Sequence, residues 1–285
     1  MTIKSIAGID HAVVAVNDLD AAAANWKQLG FTISPRGTHS AHMGTGNYTI
    51  MLGDDYMELL GVLVETEHNA PSRAYLAQTG GGIERIAFTT PDAAAGAAEI
   101  RAMGYAAIGP TDFERPVTMP DGTKAAAKFA TFLWPVAEAP GGVRLFACQH
   151  KTRETVWIAE LQRHANTAKR IARVFVVTPK PEEDATHLAK MIAGEVRAGA
   201  DGSAVVPTGF GRADFVFLAR EALGGKYPGV DVSRLPERAG AGLELVVNDL
   251  AAAQRAIGAR AVASSGATVV PPADANGVML AFVQG

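Results

Sequence analysis

Apolar and polar positions along this chain recur as one pattern, repeated. Residues 8–20, GIDHAVVAVNDLD, open with an apolar run that reads as a buried strand, and an alanine-rich amphipathic helix follows. The same order returns at GIERIAFTTPDAAAGAAEI from Gly82, at RIARVFVVTPKPEEDATHLAKM from Arg170, and near the C-terminus. There, residues 247–254 match residues 16–23 at six of eight positions. Cap-like residues mark the helix starts at Asn17 or Asp18, Thr90, Thr178 and Asn248, and Pro91 and Pro179 suit a first helical turn. Gly30, Gly104, Gly194 and Gly258 suit the helix ends.

Short strand-like runs follow each helix. In the first copy they lie at 31–34, 48–52 and 56–61, with Asp54-Asp55 as a tight break. In the second they lie at 105–108, 126–134 and 143–149, with the turn PDG at 120–122. The third copy shows 212–219 and the fourth 277–284. The pattern predicts an α+β fold of four βαβββ modules. A helix covers one face of each module's sheet, so the bare faces of two modules can curl together around a cleft. Modules 1 and 2 are expected to pair as one domain (1–160) and modules 3 and 4 as a second (161–285). The link around 150–169, with VWIAELQRH, reads as a helix or an extended crossing segment.

Composition narrows the function classes. Of 285 residues, 48% are hydrophobic and 19% charged, an ordinary globular mix. A formal net charge of −3 with no basic run argues against nucleic acid or an anionic membrane as partner. The single cysteine, Cys148, allows no intrachain disulfide and suits a reducing compartment. Without a leader-like segment or a long apolar run, the expected location is cytoplasmic.

The segments GIDHAVVAVNDLDAAAANWKQLGF, HMGTGNYTIMLGDDYMELLGV and FACQHKTRETVWIAELQRH resemble the vicinal oxygen chelate superfamily, in its glyoxalase-like branch. The resemblance covers residues 8 to about 170 and rests beyond that on the repeat. It implies paired βαβββ modules forming open barrels, in a group that includes glyoxalases, extradiol dioxygenases, epimerases and metal-free drug-binding proteins.

The resemblance also implies a metal-ligand histidine on a module's first strand and a Glu or Gln on its last. Module 1 has both, His11 and Glu58; module 2 has Arg85 and Phe146 instead, and modules 3 and 4 have Arg173 and Gly242 at the first-strand position. Strand alternation puts Ile9, His11, Val13 and Ala15 on one face. A third ligand to a divalent ion (Fe, Mn, Ni or Zn) is sought in His150, His39 or His42. The rival is a metal-free site in which Arg85 pairs with Glu58 or holds an anionic substrate oxygen.

His11 and Glu58 are thus the expected metal or acid/base pair, with His150 as a third metal ligand. Arg85, Asn47, His42, Trp134 and Phe146 are the expected substrate contacts. Cys148 reads as a buried small hydrophobe, and His68, His164 and His187 read as surface residues. Two functions stand: a glyoxalase-like lyase, isomerase or dioxygenase acting on a small oxygen-bearing substrate, or a metal-free small-molecule binding protein. The expected partner is a small molecule, and a homodimer is the assembly to test.

Overall fold

The computed structural model describes residues 3–199 and 201–285. Its elements follow the order β-α-β-β-β four times. Module 1 is β1 (Ile9–Val16), α1 (Leu19–Gln28), β2 (Gly37–Thr38), β3 (Thr45–Met51) and β4 (Tyr56–Val62), and α2 (Ala70–Thr79) leads onward. Module 2 is β5 (Gly82–Thr89), α3 (Ala93–Ala102), β6 (Ile108–Thr118), β7 (Lys124–Leu133) and β8 (Arg144–His150). Module 3 is β9 (Ala168–Val177), α4 (Pro181–Met191), β10 (Arg197–Ala198), β11 (Ala204–Val206) and β12 (Asp214–Leu218), followed by the connector α5 (Arg220–Lys226). Module 4 is β13 (Ala239–Val247), α6 (Leu250–Ile257), β14 (Val262–Ser264), β15 (Ala267–Val270) and β16 (Met279–Gln284).

The first strands of paired modules run antiparallel side by side, β1 with β5 and β9 with β13. Each first strand lies parallel to the last strand of its own module. Strands β5 and β13 meet only at Ile83 and Gly240. A Cβ on Gly240 would come within 2.7 Å of the Ile83 side chain, so this close approach requires glycine.

Local signals placed the elements with some shifts. Asp18, Asp92 and Asp249 accept from helix N–H groups, so α3 and α6 are capped by aspartates two residues and one residue beyond the expected Thr90 and Asn248. Thr178 instead donates to the buried Asp184, and α4 starts without a side-chain cap. Residues 31–34 form no strand; the second strand of module 1 is the short Gly37–Thr38. The early strand of module 2 starts at Ile108 and runs on to Thr118, forming a long hairpin with β7 around the expected turn. The 150–169 link is neither a helix nor an extended strand but two short 3-10 turns, 153–155 and 159–162.

The helices and the sheet backs share one apolar core that includes Trp26, Phe88, Phe132, Phe215 and Phe282. Trp134 belongs to it. Its ring packs beside Phe88 and Phe132, so the expected substrate contact is a core residue on the helix side of the sheet. His164, expected at the surface, is buried and joins two segments: Thr32 N–H donates to its Nδ1, and its Nε2–H donates to the Met51 carbonyl.

The two concave faces are filled differently. In the second pair, Phe175, Val177, Val216 and Leu218 pack with Tyr227, Val230 and Leu235 from the β12–β13 connection. In the first pair, apolar packing around Tyr56, Phe129 and Cys148 takes only part of the face. A set of ionisable side chains occupies the remainder.

Candidate functional site

Backbone register carries the site residues to one face. His11 lies opposite Tyr56 on β4 and Ala87 on β5, while Val13 lies opposite Glu58 and Arg85. Arg85 and Ala87 in turn lie opposite Arg144 and Phe146 on β8. His11, Glu58, Arg85 and Phe146 therefore share the concave face.

Two β-bulges alter simple alternation. Ile9 pairs with Phe88 and His11 with Ala87, which makes Asp10 an extra residue in β1. Ile9 consequently joins the helix-side core with Ala12 and Val14, and does not share a face with His11. The bulge sets the side chains of Asp10 and His11 next to each other. Glu84 is the extra residue in β5, while Ala172 and Ala241 hold the corresponding places in β9 and β13. An acidic side chain stands at this place only in the first pair.

Asp10 is the hub of the site. It is fully buried, and three hydrogen bonds converge on its carboxylate. His11 Nδ1–H donates to Oδ1 at 2.6 Å, His150 Nε2–H donates to the same oxygen at 2.9 Å, and Thr89 Oγ1–H donates to Oδ2 at 2.8 Å. Burial alone would raise its pKa, but His150 and His11 hold it well below the usual carboxylate range. An ionised Asp10 has no proton to give, so the proton of each bond is assigned to the imidazole.

His11 is clamped on every side. Its ring stacks on Tyr56 at 4.1 Å between centroids, with the edge of Phe146 at 5.3 Å. Its Nε2 lies 3.5 Å from Glu58 Oε2 and 3.4 Å from the Tyr56 hydroxyl. Burial disfavours the charged ring, but the bonds to Asp10 and Glu58 outweigh it and raise the pKa above the ordinary histidine value. Glu58 responds in the opposite direction. Burial would raise its pKa, yet His11, His39 and Asn47 bring it down to about 2. The pair is therefore an ionised carboxylate facing an imidazolium.

Asn47 reaches the site through Glu58, donating Nδ2–H to Oε1 at 2.7 Å. His39 lies 4.0 Å from the same oxygen through Nε2, while its Nδ1 is 2.8 Å from Thr45 Oγ1. His42 is exposed and sits at the rim with its ring 5.1 Å from that of His68. His150, expected as a third metal ligand, has its side chain buried and meets His11 through Asp10. Phe129 and Trp157 enclose its ring. Arg85 makes no ion pair with Glu58. Its guanidinium goes to Glu84, at 3.2 Å, and lies 6.0 Å from the Phe146 ring.

Asp10, His11 and His150 form the one group among the described residues whose metal-ligating atoms all lie within 4.8 Å of one another. Their chemistry (one carboxylate, two imidazoles) suits a divalent ion. Their spacing suits protons better: with bonds of about 2.0–2.2 Å, neighbouring ligands of one ion stand roughly 3 Å or more apart, and the Asp10–His11 contact is 2.6 Å. The ligand set implied by the superfamily is incomplete as well, because Arg85 and Phe146 offer no donor to an ion. These residues do not fit a chelated metal.

Asp10, Glu84 and Arg144 escaped sequence reasoning. Alternation assigned Asp10 to the helix side, and only the bulge reverses this. One signal existed: the repeat aligns Asp10 with Glu84, an acid directly before each first-strand ligand position.

Four β-α-β-β-β units with first strands paired and ionisable groups on the concave face define a vicinal oxygen chelate fold. The glyoxalase-like domain family model matches residues 9–192, and the chain belongs to that family. A protein of Staphylococcus aureus described as hypothetical superposes with a TM-score of 0.67 at 12% identity, covering 98% of this chain and 99% of that one. A triple mutant of 4-hydroxymandelate synthase from Streptomyces coelicolor superposes at 0.62 with 12% identity, covering 98% and 93%. At these identities the likeness is one of fold. No curated protein matches the chain. Among the described residues no helix is long and apolar enough to cross a membrane.

Proposed function

We propose that the first module pair is an enzyme site for proton transfer on a small carbonyl or hydroxy-carbonyl substrate, of the isomerase or lyase type. The observation that carries this reading is the Glu58–His11–Asp10 row. Glu58 offers a carboxylate base, and His11 offers an Nε2–H acid 3.5 Å away. Asp10 holds the imidazole in position through Nδ1. A substrate seated against this pair gives its α-proton to Glu58, while His11 donates a hydrogen bond to the carbonyl oxygen as negative charge builds there. Tyr56 and Phe146 fix the ring and keep water from it. Asn47 orients Glu58. Residues 1–160 would then form the working domain and residues 161–285 a supporting one.

The test is exchange in D2O. A panel of small hydroxy-carbonyl compounds and 2-oxo acids is incubated with the protein, and loss of the α-proton signal is followed by NMR. Exchange with wild type and none with Glu58→Gln supports the proposal. Tight binding without exchange by either protein points to the second reading, a binding protein, which the aromatic wall of Tyr56, Phe129, Phe146 and Trp157 favours.

A further inference from the structure

Beside the Asp10 centre lies its counterpart in the repeat. Glu84 is fully buried, and its carboxylate receives Arg85 Nε–H at 3.2 Å and the Arg144 guanidinium. Both guanidiniums also stand 3.4 Å from Ser72 Oγ, on α2. Two cations thus share one buried anion, and the group keeps a charge of +1. The side chains of Arg85 and Arg144 are 21% and 18% exposed, against 0% for Glu84. The carboxylate lies behind the arginines and the arginines face outward.

Their donors are not used up. Arg85 Nη1 and the Nε and Nη1 of Arg144 make no hydrogen bond to protein among the described residues. These N–H groups are not sealed from solvent, so an anion arriving from outside can take them as donors. Position adds a second argument. Glu58 lies opposite Val13, Val13 opposite Arg85, and Arg85 opposite Arg144, one row across four adjacent strands. Strands stand about 4.8 Å apart, which sets the backbones of Glu58 and Arg85 roughly 10 Å apart. Glu58 and the two arginines therefore stand at opposite ends of one short row on the same concave face.

We propose that Arg85 and Arg144, backed by Glu84 and steadied by Ser72, anchor a carboxylate, and that the substrate of the neighbouring Glu58–His11 pair is a small monocarboxylic acid. Charge decides between carboxylate and phosphate. A single negative charge neutralises the +1 of the arginine group, whereas a phosphate dianion would overshoot it. The planar fork of each guanidinium also fits a carboxylate edge. The substrate class rests on the proton-transfer reading; the anchor itself does not.

The test is a binding comparison on the whole chain. Pyruvate, lactate and acetoacetate are titrated against the wild-type protein by calorimetry and saturation-transfer NMR, with hydroxyacetone as the neutral analogue and inorganic phosphate as the competing anion. At least one carboxylate is expected to bind tenfold or more tightly than hydroxyacetone and not to be displaced by equimolar phosphate. Arg144→Gln should weaken that carboxylate at least tenfold and leave hydroxyacetone unchanged, and Arg144→Lys should fall between. Absence of carboxylate binding to wild type, equal affinity for hydroxyacetone, or displacement by phosphate overturns the proposal. The wild-type comparison stands even where a variant fails to fold. Glu58→Gln should still bind the acid, so binding without proton exchange would remove the proton-transfer reading and leave the anchor in place.

Discussion

His11 Nε2 stands 3.5 Å from Glu58 Oε2, and His11 Nδ1 stands 2.6 Å from Asp10 Oδ1. One imidazole is thus held between two buried carboxylates. With both carboxylates ionised and the ring protonated, the trio carries one net negative charge, and base and acid face each other in one contact.

The first consequence concerns pH. Glu58, with its pKa brought down to about 2, is ionised across the working range. His11, with its pKa raised, is charged below that pKa and loses its proton as pH rises through it. Proton exchange on a bound substrate is expected to hold level through mildly acidic pH and to fall on the alkaline side, at a pH above the ordinary histidine value. A rate that rises through that range would contradict the assignment of His11 as acid.

Replacing Asp10 by Asn removes the charge that keeps His11 protonated. Burial still opposes the charge and Glu58 alone remains to favour it, so the His11 pKa should fall from its raised position. NMR titration of the imidazole nitrogens reads the shift directly. The alkaline limb of the exchange profile should move to lower pH with it. A destabilisation of about 3 kcal/mol is expected as well, the usual scale when a buried charged partner is lost.

Asn47→Ala deprives the Glu58 carboxylate of its 2.7 Å donor. Hydrogen bonds to charged groups contribute about 1.5–3 kcal/mol. The turnover rate should fall roughly ten- to hundredfold, with little change in substrate affinity, because Asn47 acts through Glu58. A loss confined to affinity would instead make Asn47 a direct substrate contact.

Metal analysis offers a separate check. Protein grown in medium supplemented with iron, manganese, nickel and zinc is expected to retain well under one ion per chain, with His11→Ala and His150→Ala no different. A stoichiometric ion that disappears in either variant would show that the Asp10–His11–His150 group binds metal.

Asp55 links the two module pairs, accepting the Ile171 N–H at 3.0 Å while its other oxygen has no partner. Burial, opposed by the Ile171 bond and by Arg212 and Arg170, raises its pKa from 3.8 to about 7. Between those values the folded chain holds a proton that the unfolded chain releases, so this group's contribution to stability falls as pH rises from about 4 to 7. Asp55→Asn should raise the melting temperature at pH 8, by on the order of 2–4 kcal/mol of stability, and make no difference near pH 4. Equal melting temperatures at both pH values would remove Asp55 as the cause.

Much of this arrangement was legible in one dimension. The repeat of apolar run and alanine-rich helix gave the module order because strand and helix periodicities are local properties. His11 and Glu58 were legible for a related reason. A charged or imidazole side chain inside an otherwise apolar strand is costly to bury, so it draws attention wherever it stands. Trp134 was misplaced because a large aromatic fits either side of a sheet equally well, and only the packing of Phe88 and Phe132 assigns the side.

Residue order alone determined four modules, their helices and the loss of metal donors at Arg85 and Phe146, since each depends on neighbours a few positions away. Folding decided the partnerships. A single extra residue in β1 turns Asp10 from the core side to the ring of His11, and a matching one in β5 sets Glu84 beneath two arginines. Bulges arise from the register between distant strands, and His150 lies 140 positions from the carboxylate it bonds. Arg85 finds its anion next door in Glu84 while standing in the same row as Glu58. That choice depends on side-chain direction in three dimensions, which strand alternation approximates and a bulge reverses.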